Sequence, residues 1–442
     1  MWRRFEPQLS AMRGSDTAKA AGLAGAMVAN NVIALGSVIV FSRELTDYGS
    51  LAALVSYFLI LAVVGYALQL ATAREAVLGH LGVGRAMATT IQSWTRSILI
   101  FTVGMSVISV LLRHPIASAV GVKQDWAAAL GIPAGCLYVL LCVMRGFLQG
   151  LGNYKAVGIS LIGEQASRLA IGGLLAGVGL GVTGAYIGTP LSFVAMILYC
   201  AVLLRRHLGP PEPERRARIG LWAHVASAWA AIAALGILAV LQNIDIIAAK
   251  HQFSTDLASS YSATAVAAKV LIWVAMGAGF YLVPEVSRRH SAGEDTRPVL
   301  AKALAIVAVA AIPCLLIFGF ASTPLIRAAF KSNRLLAVDA LFILGVAFTV
   351  LAATYLAVQY MLALKRSWFL LPLGAVAVAE PILLLNASHE PKQFAVVVLG
   401  VQIVGAAVAF AMALRPTKPA KVGGEPEEPV PEPELVGASR MS

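Results

Sequence analysis

Long apolar runs separated by short polar segments dominate the chain. Each run is about 20 residues long, the length at which an α-helix crosses the hydrocarbon core of a bilayer. The runs are continuously apolar, whereas the strands of a membrane barrel alternate apolar and polar positions. The pattern predicts an all-α polytopic membrane protein with twelve transmembrane helices, at residues 19–41, 51–72, 91–112, 126–147, 155–177, 183–204, 221–243, 259–283, 299–320, 335–363, 367–387 and 393–414.

The predicted spans divide into two groups of six. Residues 205–220, between the sixth and seventh spans, hold three prolines and a run of arginines, as expected of a polar linker. Residues 145–164 match residues 361–380, with Glu164 over Glu380, and such repeats are typical of transporters. We therefore expect a six-plus-six pseudo-repeat. Its parts are an amphipathic cytoplasmic N-terminus at 1–18, an N-lobe at 19–204, a cytoplasmic linker at 205–220, a C-lobe at 221–414 and a disordered Pro/Glu-rich tail at 415–442.

Composition and charge support a membrane location. Of the 442 residues 59% are hydrophobic and 13% charged, whereas soluble domains have roughly 25% charged residues. The net charge of +12 comes from Lys and Arg concentrated in segments that lie on one side if both termini are cytoplasmic, as the positive-inside rule predicts. These residues do not form one patch with interleaved aromatic side chains, so no nucleic-acid partner is expected.

Sequence motifs for enzymatic chemistry are missing. The chain contains no HExxH motif, no P-loop and no nucleotide-binding glycine pattern. The four cysteines all lie within predicted spans, without the spacing of a metal site or a disulfide framework: Cys136, Cys142, Cys200 and Cys314. We therefore expect a protein that is not an enzyme and that uses no cofactor or metal.

Charged residues inside predicted spans are candidates for function, because a charge in hydrocarbon is costly unless it is paired or faces water. Glu164 lies near the middle of the fifth span, and Arg168 follows it by four residues on the same helical face. The two can pair directly, either as a structural ion pair or with Glu164 orienting Arg168 toward a cavity. Lys269 lies deep in the eighth span, which favours a role in a cavity.

Two further polar features lie inside spans. Glu380 precedes Pro381, and a proline within a helix frees backbone carbonyls beside it. This arrangement suits a coupling cation or proton, and a carboxylate satisfied by a neighbouring helix fits it equally well. Asn30 and Asn31, in the middle of the first span, need hydrogen-bond partners, for which a contact between helices is the commoner explanation.

Charged residues also mark the predicted outer ends of two spans. Arg43 closes the first span, and Asp245 with Lys250 closes the seventh. Charges at such ends are usually solvated.

Small residues recur at about every fourth position around the predicted turn between the fifth and sixth spans, and this spacing allows close helix contact. They are Gly173, Gly177, Gly181, Gly184 and Gly188.

Three stretches carry a resemblance to a known family: Ser42 to Glu75, Arg145 to Tyr154 with Gly184 and Ala185, and Asn243 to Lys269. They resemble the multidrug/oligosaccharidyl-lipid/polysaccharide (MOP) flippase superfamily, specifically its polysaccharide-biosynthesis branch. The resemblance covers roughly residues 15–415. It implies two six-helix lobes that alternate access across the bacterial plasma (inner) membrane, driven by an ion gradient or the membrane potential.

The resemblance implies a lipid-linked oligosaccharide as the transported substrate. An isoprenoid pyrophosphate is anionic, so cationic side chains in a wet cavity would lower its barrier to crossing. Arg168, Lys269 and Arg43, with Asn30 and Asn31, are the candidate substrate-binding residues. Glu164, Glu380 and Asp245 are the candidate residues for coupling or gating.

Two alternatives stay open at this point. The chain could be an ion-coupled exporter of small organic cations from the same superfamily, or a non-transporting membrane scaffold for polysaccharide synthesis. The partners expected are the lipid-linked oligosaccharide and membrane lipids, with polysaccharide-synthesis glycosyltransferases or a polymerase as further candidates.

Overall fold

The computed structural model describes residues 16–212 and 219–415, and within these two ranges all regular secondary structure is helical. The predicted all-α fold is thus confirmed. Most of the predicted N-terminal segment 1–18 and of the tail 415–442 lies outside the described residues, as do residues 213–218 of the predicted linker.

The first half of the chain forms eight helices. They are α1 (Asp16–Glu44), α2 (Tyr48–Val77), α3 (Arg85–Leu111), α4 (Arg113–Val120), α5 (Asp125–Ala129), α6 (Gly131–Gly150), α7 (Tyr154–Leu175) and α8 (Gly181–Leu208). Helix α2 packs along α6, α1 packs along α7, and α7 packs along α8. Helix α3 packs mainly against α6, at the edge of this group.

The second half forms nine helices. They are α9 (Leu221–Ser227), α10 (Trp229–Gln252), α11 (Thr255–Ala268), α12 (Val270–Ser291), α13 (Arg297–Phe320), α14 (Ser322–Phe330), α15 (Leu341–Ala363), α16 (Leu370–Leu385) and α17 (Pro391–Ala413). Helix α15 packs against α12, α13 and α17, and a 3₁₀ segment, Ser332–Ala340, precedes it.

These helices form twelve membrane-spanning segments. Ten helical runs in the described part are long and apolar enough to span a membrane. One of them, Tyr154–Leu208, has 55 residues, and a straight helix of that length would measure about 83 Å. It turns back at Gly179 and Gly181, whose φ angles of 99° and 52° suit glycine, so that α7 and α8 are separate spans. The shorter α16 supplies the twelfth span, and the predicted number is confirmed.

The glycine pattern at this turn is confirmed in part. A Cβ on Gly188 would lie 2.6 Å from the backbone nitrogen of Gly172, and one on Gly184 would lie 2.7 Å from Leu175 backbone atoms. Gly173 and Gly177 have nothing within 4 Å of such a Cβ. Gly172, rather than Gly173, therefore forms the close contact between α7 and α8.

The loops lie at two opposite faces of the helix bundle, which we call the terminal face and the far face. The terminal face carries residues 78–84, 151–153 and 209–220, and the far face carries residues 45–47, 253–254 and 331–340. An even number of spans places both ends of the described chain at the terminal face. Which face is cytoplasmic stays a prediction.

The seventh span begins later than predicted, at Trp229 instead of residue 221. Residues 221–227 form the separate helix α9, which packs on the first half of the chain. His224 of α9 places Nε2 3.1 Å from Thr72 Oγ1 and stacks on Trp94 with ring centroids 4.7 Å apart. The division into lobes at residues 205–220 stays a prediction, and we use N-lobe and C-lobe for the helices before and after it.

Candidate functional site

A buried charged cluster lies inside the N-lobe, built by α6 and α7. Glu164 forms ion pairs with two arginines: its Oε2 lies 2.9 Å from Arg145 Nη2, and its Oε1 accepts a hydrogen bond from Arg168 Nη2 at 3.2 Å. Arg145 also donates through Nε to Ser160 Oγ at 2.9 Å and through Nη2 to the Ser160 carbonyl at 2.8 Å. We call Arg145, Glu164 and Arg168 the N-lobe cluster.

The N-lobe cluster carries surplus positive charge, because two guanidinium groups share one carboxylate. Nη1 of Arg145 and Nε of Arg168 are buried donors without a partner in the described part of the chain. Arg168 is the member with an accessible part: 14% of its side chain is exposed, compared with 0% for Arg145 and 5% for Glu164. Its guanidinium lies over Phe58 and Phe193, 5.8 and 5.6 Å from the ring centroids, in cation–π geometry.

A second buried cluster lies inside the C-lobe, where Lys269 pairs with Asp245. Lys269 Nζ lies 2.9 Å from Asp245 Oδ1, and the Tyr261 hydroxyl lies 3.4 Å from Asp245 Oδ2. Lys269 Nζ also lies 5.1 Å from the centroid of the Phe348 ring. Lys269 sits at a break between α11 and α12, within the single span predicted at 259–283.

Glu380 completes this C-lobe cluster of Asp245, Lys269 and Glu380. It is fully buried, and its Oε1 accepts from Gln402 Nε2 at 3.1 Å. Its Oε2 has no partner among the described residues. Electrostatic interactions join Glu380 to both Asp245 and Lys269. The cluster thus contains two carboxylates and one ammonium group, which pairs with Asp245, and the excess charge is negative if both carboxylates are ionised.

The two lobes meet at the far face through polar contacts. Asp47 Oδ1 accepts from Lys250 Nζ at 2.6 Å, and the Gly49 amide donates to Ser259 Oγ at 2.9 Å. Arg334, fully buried in the 3₁₀ segment, donates to carbonyls at the end of α1, the nearest being that of Leu45 at 2.7 Å. These carbonyls carry the negative end of the helix dipole, so a guanidinium is favourable there.

The pKa of Asp47 is lowered at this interface. Burial alone would raise the pKa, and the hydrogen bonds from Lys250 and from Ser50 outweigh that effect. The carboxylate therefore stays ionised to a lower pH than an ordinary aspartate.

Three of the predicted substrate-binding residues lie apart from both clusters. Arg43 lies at the far face, where it donates to the carbonyls of Ala328 and Ala329 in the C-lobe. Asn30 and Asn31 are half-buried in α1, and their side chains bond to one another at 3.4 Å. The structure does not bring these three together with Arg168 or Lys269, and their role in binding stays a prediction.

Sequence reasoning missed Arg145 and Arg334. The position of Arg145 near the end of its predicted span suggests a cytoplasmic location, yet the side chain is fully buried. Its match at the repeat-related position is an apolar residue, Met361, and that difference was the available signal. The position of Arg334 just before the predicted tenth span suggests an outer loop, and no sequence feature marks its contact with α1.

Comparison with solved structures identifies the fold. A multidrug resistance MATE family transporter of the MOP superfamily, in its inward-facing conformation, is similar over 87% of this chain and 93% of its own, with 13% identity and a TM-score of 0.68. The lipid II flippase MurJ, in an inward closed conformation, is similar over 88% of this chain and 87% of its own, with 13% identity and a TM-score of 0.69. The eukaryotic MATE transporter AtDTX14 is similar over 91% of this chain and 96% of its own, with 15% identity and a TM-score of 0.60.

These similarities confirm the resemblance to the MOP superfamily at the level of the fold. They do not separate its branches, since both multidrug transporters and a lipid flippase are among the neighbours. No protein-family model and no curated protein matches the chain.

Proposed function

We propose that this protein is an alternating-access transporter that moves a polyprenyl-pyrophosphate-linked oligosaccharide across the bacterial plasma membrane. The observation that carries the proposal is the surplus positive charge of the N-lobe cluster. Two arginines share Glu164 deep in a lobe, and each keeps a buried N–H group without a partner. The fold it shares with MOP transporters supports a role in transport.

Arg168 is the group that would contact the headgroup. It is the only member of the N-lobe cluster with a substantial accessible part, and Glu164, Phe58 and Phe193 hold it in place. A guanidinium matches the oxygens of a pyrophosphate in a bidentate manner. Arg145 would act indirectly, because its pair with Glu164 leaves the charge of Arg168 less neutralised.

The C-lobe cluster would couple transport to a cation or a proton. Glu380 has one carboxylate oxygen without a partner in the described chain, beside the Asp245–Lys269 pair. A proton or a monovalent cation on Glu380 would remove the excess negative charge of the cluster. Moving one such charge through a potential of 100 mV provides about 2.3 kcal/mol.

The test is lipid-linked oligosaccharide translocation in proteoliposomes made with the full-length protein. We expect Arg168→Gln to reduce the initial rate at least about tenfold, since one charge-assisted bond to the pyrophosphate is lost. Arg168→Lys should retain part of the rate because it keeps the charge. The matched control is Arg74→Gln, which removes an exposed guanidinium at the terminal-face end of α2.

Two results would contradict the assignment. Full translocation by a folded Arg168→Gln protein would remove Arg168 from the substrate path. An equal loss in Arg74→Gln would show that the charge of the protein as a whole matters, and not this site.

For coupling, Glu380→Gln should abolish the dependence of the translocation rate on an imposed ion gradient, while its amide can still bond to Gln402.

Export of small organic cations is the second candidate function, and the acidic C-lobe cluster favours it. Two buried carboxylates with one ammonium group could hold an organic cation as readily as a coupling ion. The MATE transporters among the structural neighbours also fit this alternative. Cationic dye efflux that Glu380→Gln abolishes and Arg168→Gln leaves intact would support it, together with no translocation of the lipid-linked oligosaccharide.

A further inference from the structure

A groove of 790 Å³ opens on the N-lobe between α3 and α8, on the edge formed by α3. Its floor and walls are mainly apolar, with Met144 of α6 at the base. Two arginines line it, Arg96 of α3 and Arg205 of α8, together with Gln92 and Thr95. None of the described residues that line the groove is acidic.

Both arginines are exposed, and neither has a counter-ion among the described residues. Neither one has a hydrogen bond or an ion pair anywhere in residues 16–212 and 219–415. Arg96 lies eleven residues after the start of α3, about 16 Å along a helix of 27 residues, and hence near the middle of its span. A charged side chain at this depth is costly unless an anion or water reaches it.

The two side chains lean toward one another. A helical side chain tilts toward the N-terminus of its helix. Helix α3 begins at the terminal face, so Arg96 leans toward that face. Helix α8 ends at the terminal face, so Arg205, three residues before its end, leans toward the far face and thus toward Arg96. The groove thus has guanidinium groups at two depths above an apolar floor.

We propose that this groove binds an anionic phospholipid of the surrounding membrane. The phosphodiester lies between Arg96 and Arg205, where Gln92 and Thr95 add hydrogen bonds, and an acyl chain covers Met144. Two positive charges in a groove whose described lining residues include no acidic side chain favour a headgroup with net negative charge over a zwitterionic one. No residue of the N-lobe cluster lines the groove, and the proposal does not depend on what the protein transports.

Lipid retention by the purified full-length protein tests the proposal. In native mass spectrometry with phosphatidylglycerol or phosphatidylcholine, we expect phosphatidylglycerol to bind the wild-type protein at least about tenfold more tightly. Arg96→Gln and Arg205→Gln should each weaken that binding about tenfold, and the double variant should bind both lipids equally. Ala201→Trp, which fills the groove without changing charge, should weaken binding of both lipids.

Arg206→Gln is the matched control, because Arg206 is exposed beside Arg205 and is not part of the lining. An equal loss of phosphatidylglycerol in this variant would overturn the proposal, since general surface charge would then explain the preference. Undiminished binding by the folded double variant would also overturn it. So would competition by a polyprenyl phosphate at the same residues together with loss of transport in Arg96→Gln, because the groove would then belong to the substrate path. Size-exclusion profiles establish folding in each case.

Discussion

Glu164 is the residue whose loss should most disturb the N-lobe, because it is the carboxylate that two arginines share. Replacing it with glutamine leaves two buried guanidinium groups without a counter-charge. We expect Glu164→Gln to lower the free energy of unfolding by about 3 kcal/mol, the scale for breaking a buried ion pair from one side. Reversible unfolding in mixed micelles would measure this change.

A second substitution, at Arg145, tests whether this residue is coupled to Glu164, and the repeat-related position in the C-lobe suggests which residue to introduce. Met361, at the position that corresponds to Arg145 in the repeat, is fully buried. Arg145→Met should therefore fit sterically, and the double variant Arg145→Met with Glu164→Gln should be more stable than Glu164→Gln alone. Strictly additive effects of the two substitutions would argue against coupling between these side chains.

At the scale of elements, the close contact of α7 with α8 depends on Gly188. A Cβ there would lie 2.6–2.8 Å from backbone atoms of Gly172 and Arg168, and backbone cannot move aside as a flexible side chain can. We expect Gly188→Ala to destabilise the protein by about 1–3 kcal/mol, as overpacking does, and to displace the α7 segment that carries Arg168. The free energy of unfolding in micelles and the rate of oligosaccharide translocation should both decrease.

Gly173→Ala is the control for this substitution, since a Cβ at Gly173 meets nothing within 4 Å. It removes only a flexible residue from α7, so stability should stay the same or rise by up to about 1 kcal/mol. Similar losses in both variants would mean that helix propensity, and not the contact between the helices, is responsible.

The spans were predictable and their interruptions were not. Hydropathy over about 20 residues detects a helix that faces lipid, so the number of spans followed from the pattern. The break at Lys269 did not, because the residues around it are as apolar as those of an unbroken span. Likewise, i,i+4 spacing predicted the Glu164–Arg168 pair, whereas the partners Arg145 and Gln402 lie on other helices, where only tertiary packing brings them into contact.

For the whole molecule, the contact of the lobes at the far face should depend on pH through Asp47. Its pKa lies below the ordinary value, so the stabilisation from its pair with Lys250 is complete above the ordinary value and is lost as the pH falls through the lowered one. As the pH falls from neutral to well below about 4, the ordinary pKa of an aspartate, we expect fluorescent probes on the far-face loops of the two lobes to move apart. Asp47→Asn should show the larger separation already at neutral pH and respond little to acid. A wild-type separation that stays constant across this range would contradict the prediction.

Alternating access requires the far-face contact to open, and a cross-link there should stop transport. A Cβ on Gly49 would lie 3.1 Å from the Ser259 amide nitrogen and 3.2 Å from its Oγ, close enough for cysteines at 49 and 259 to form a disulfide. With the four native cysteines replaced, we expect the oxidised Gly49→Cys, Ser259→Cys protein to lose oligosaccharide translocation and to regain it on reduction. The control pair, Leu61→Cys with Gly135→Cys, is also in contact, with 3.2 Å between Cβ positions, but lies within the N-lobe. Its oxidation should leave translocation unchanged, because the lobe is expected to move as one body. Translocation by the fully cross-linked 49–259 protein would mean that the lobes do not separate at this contact.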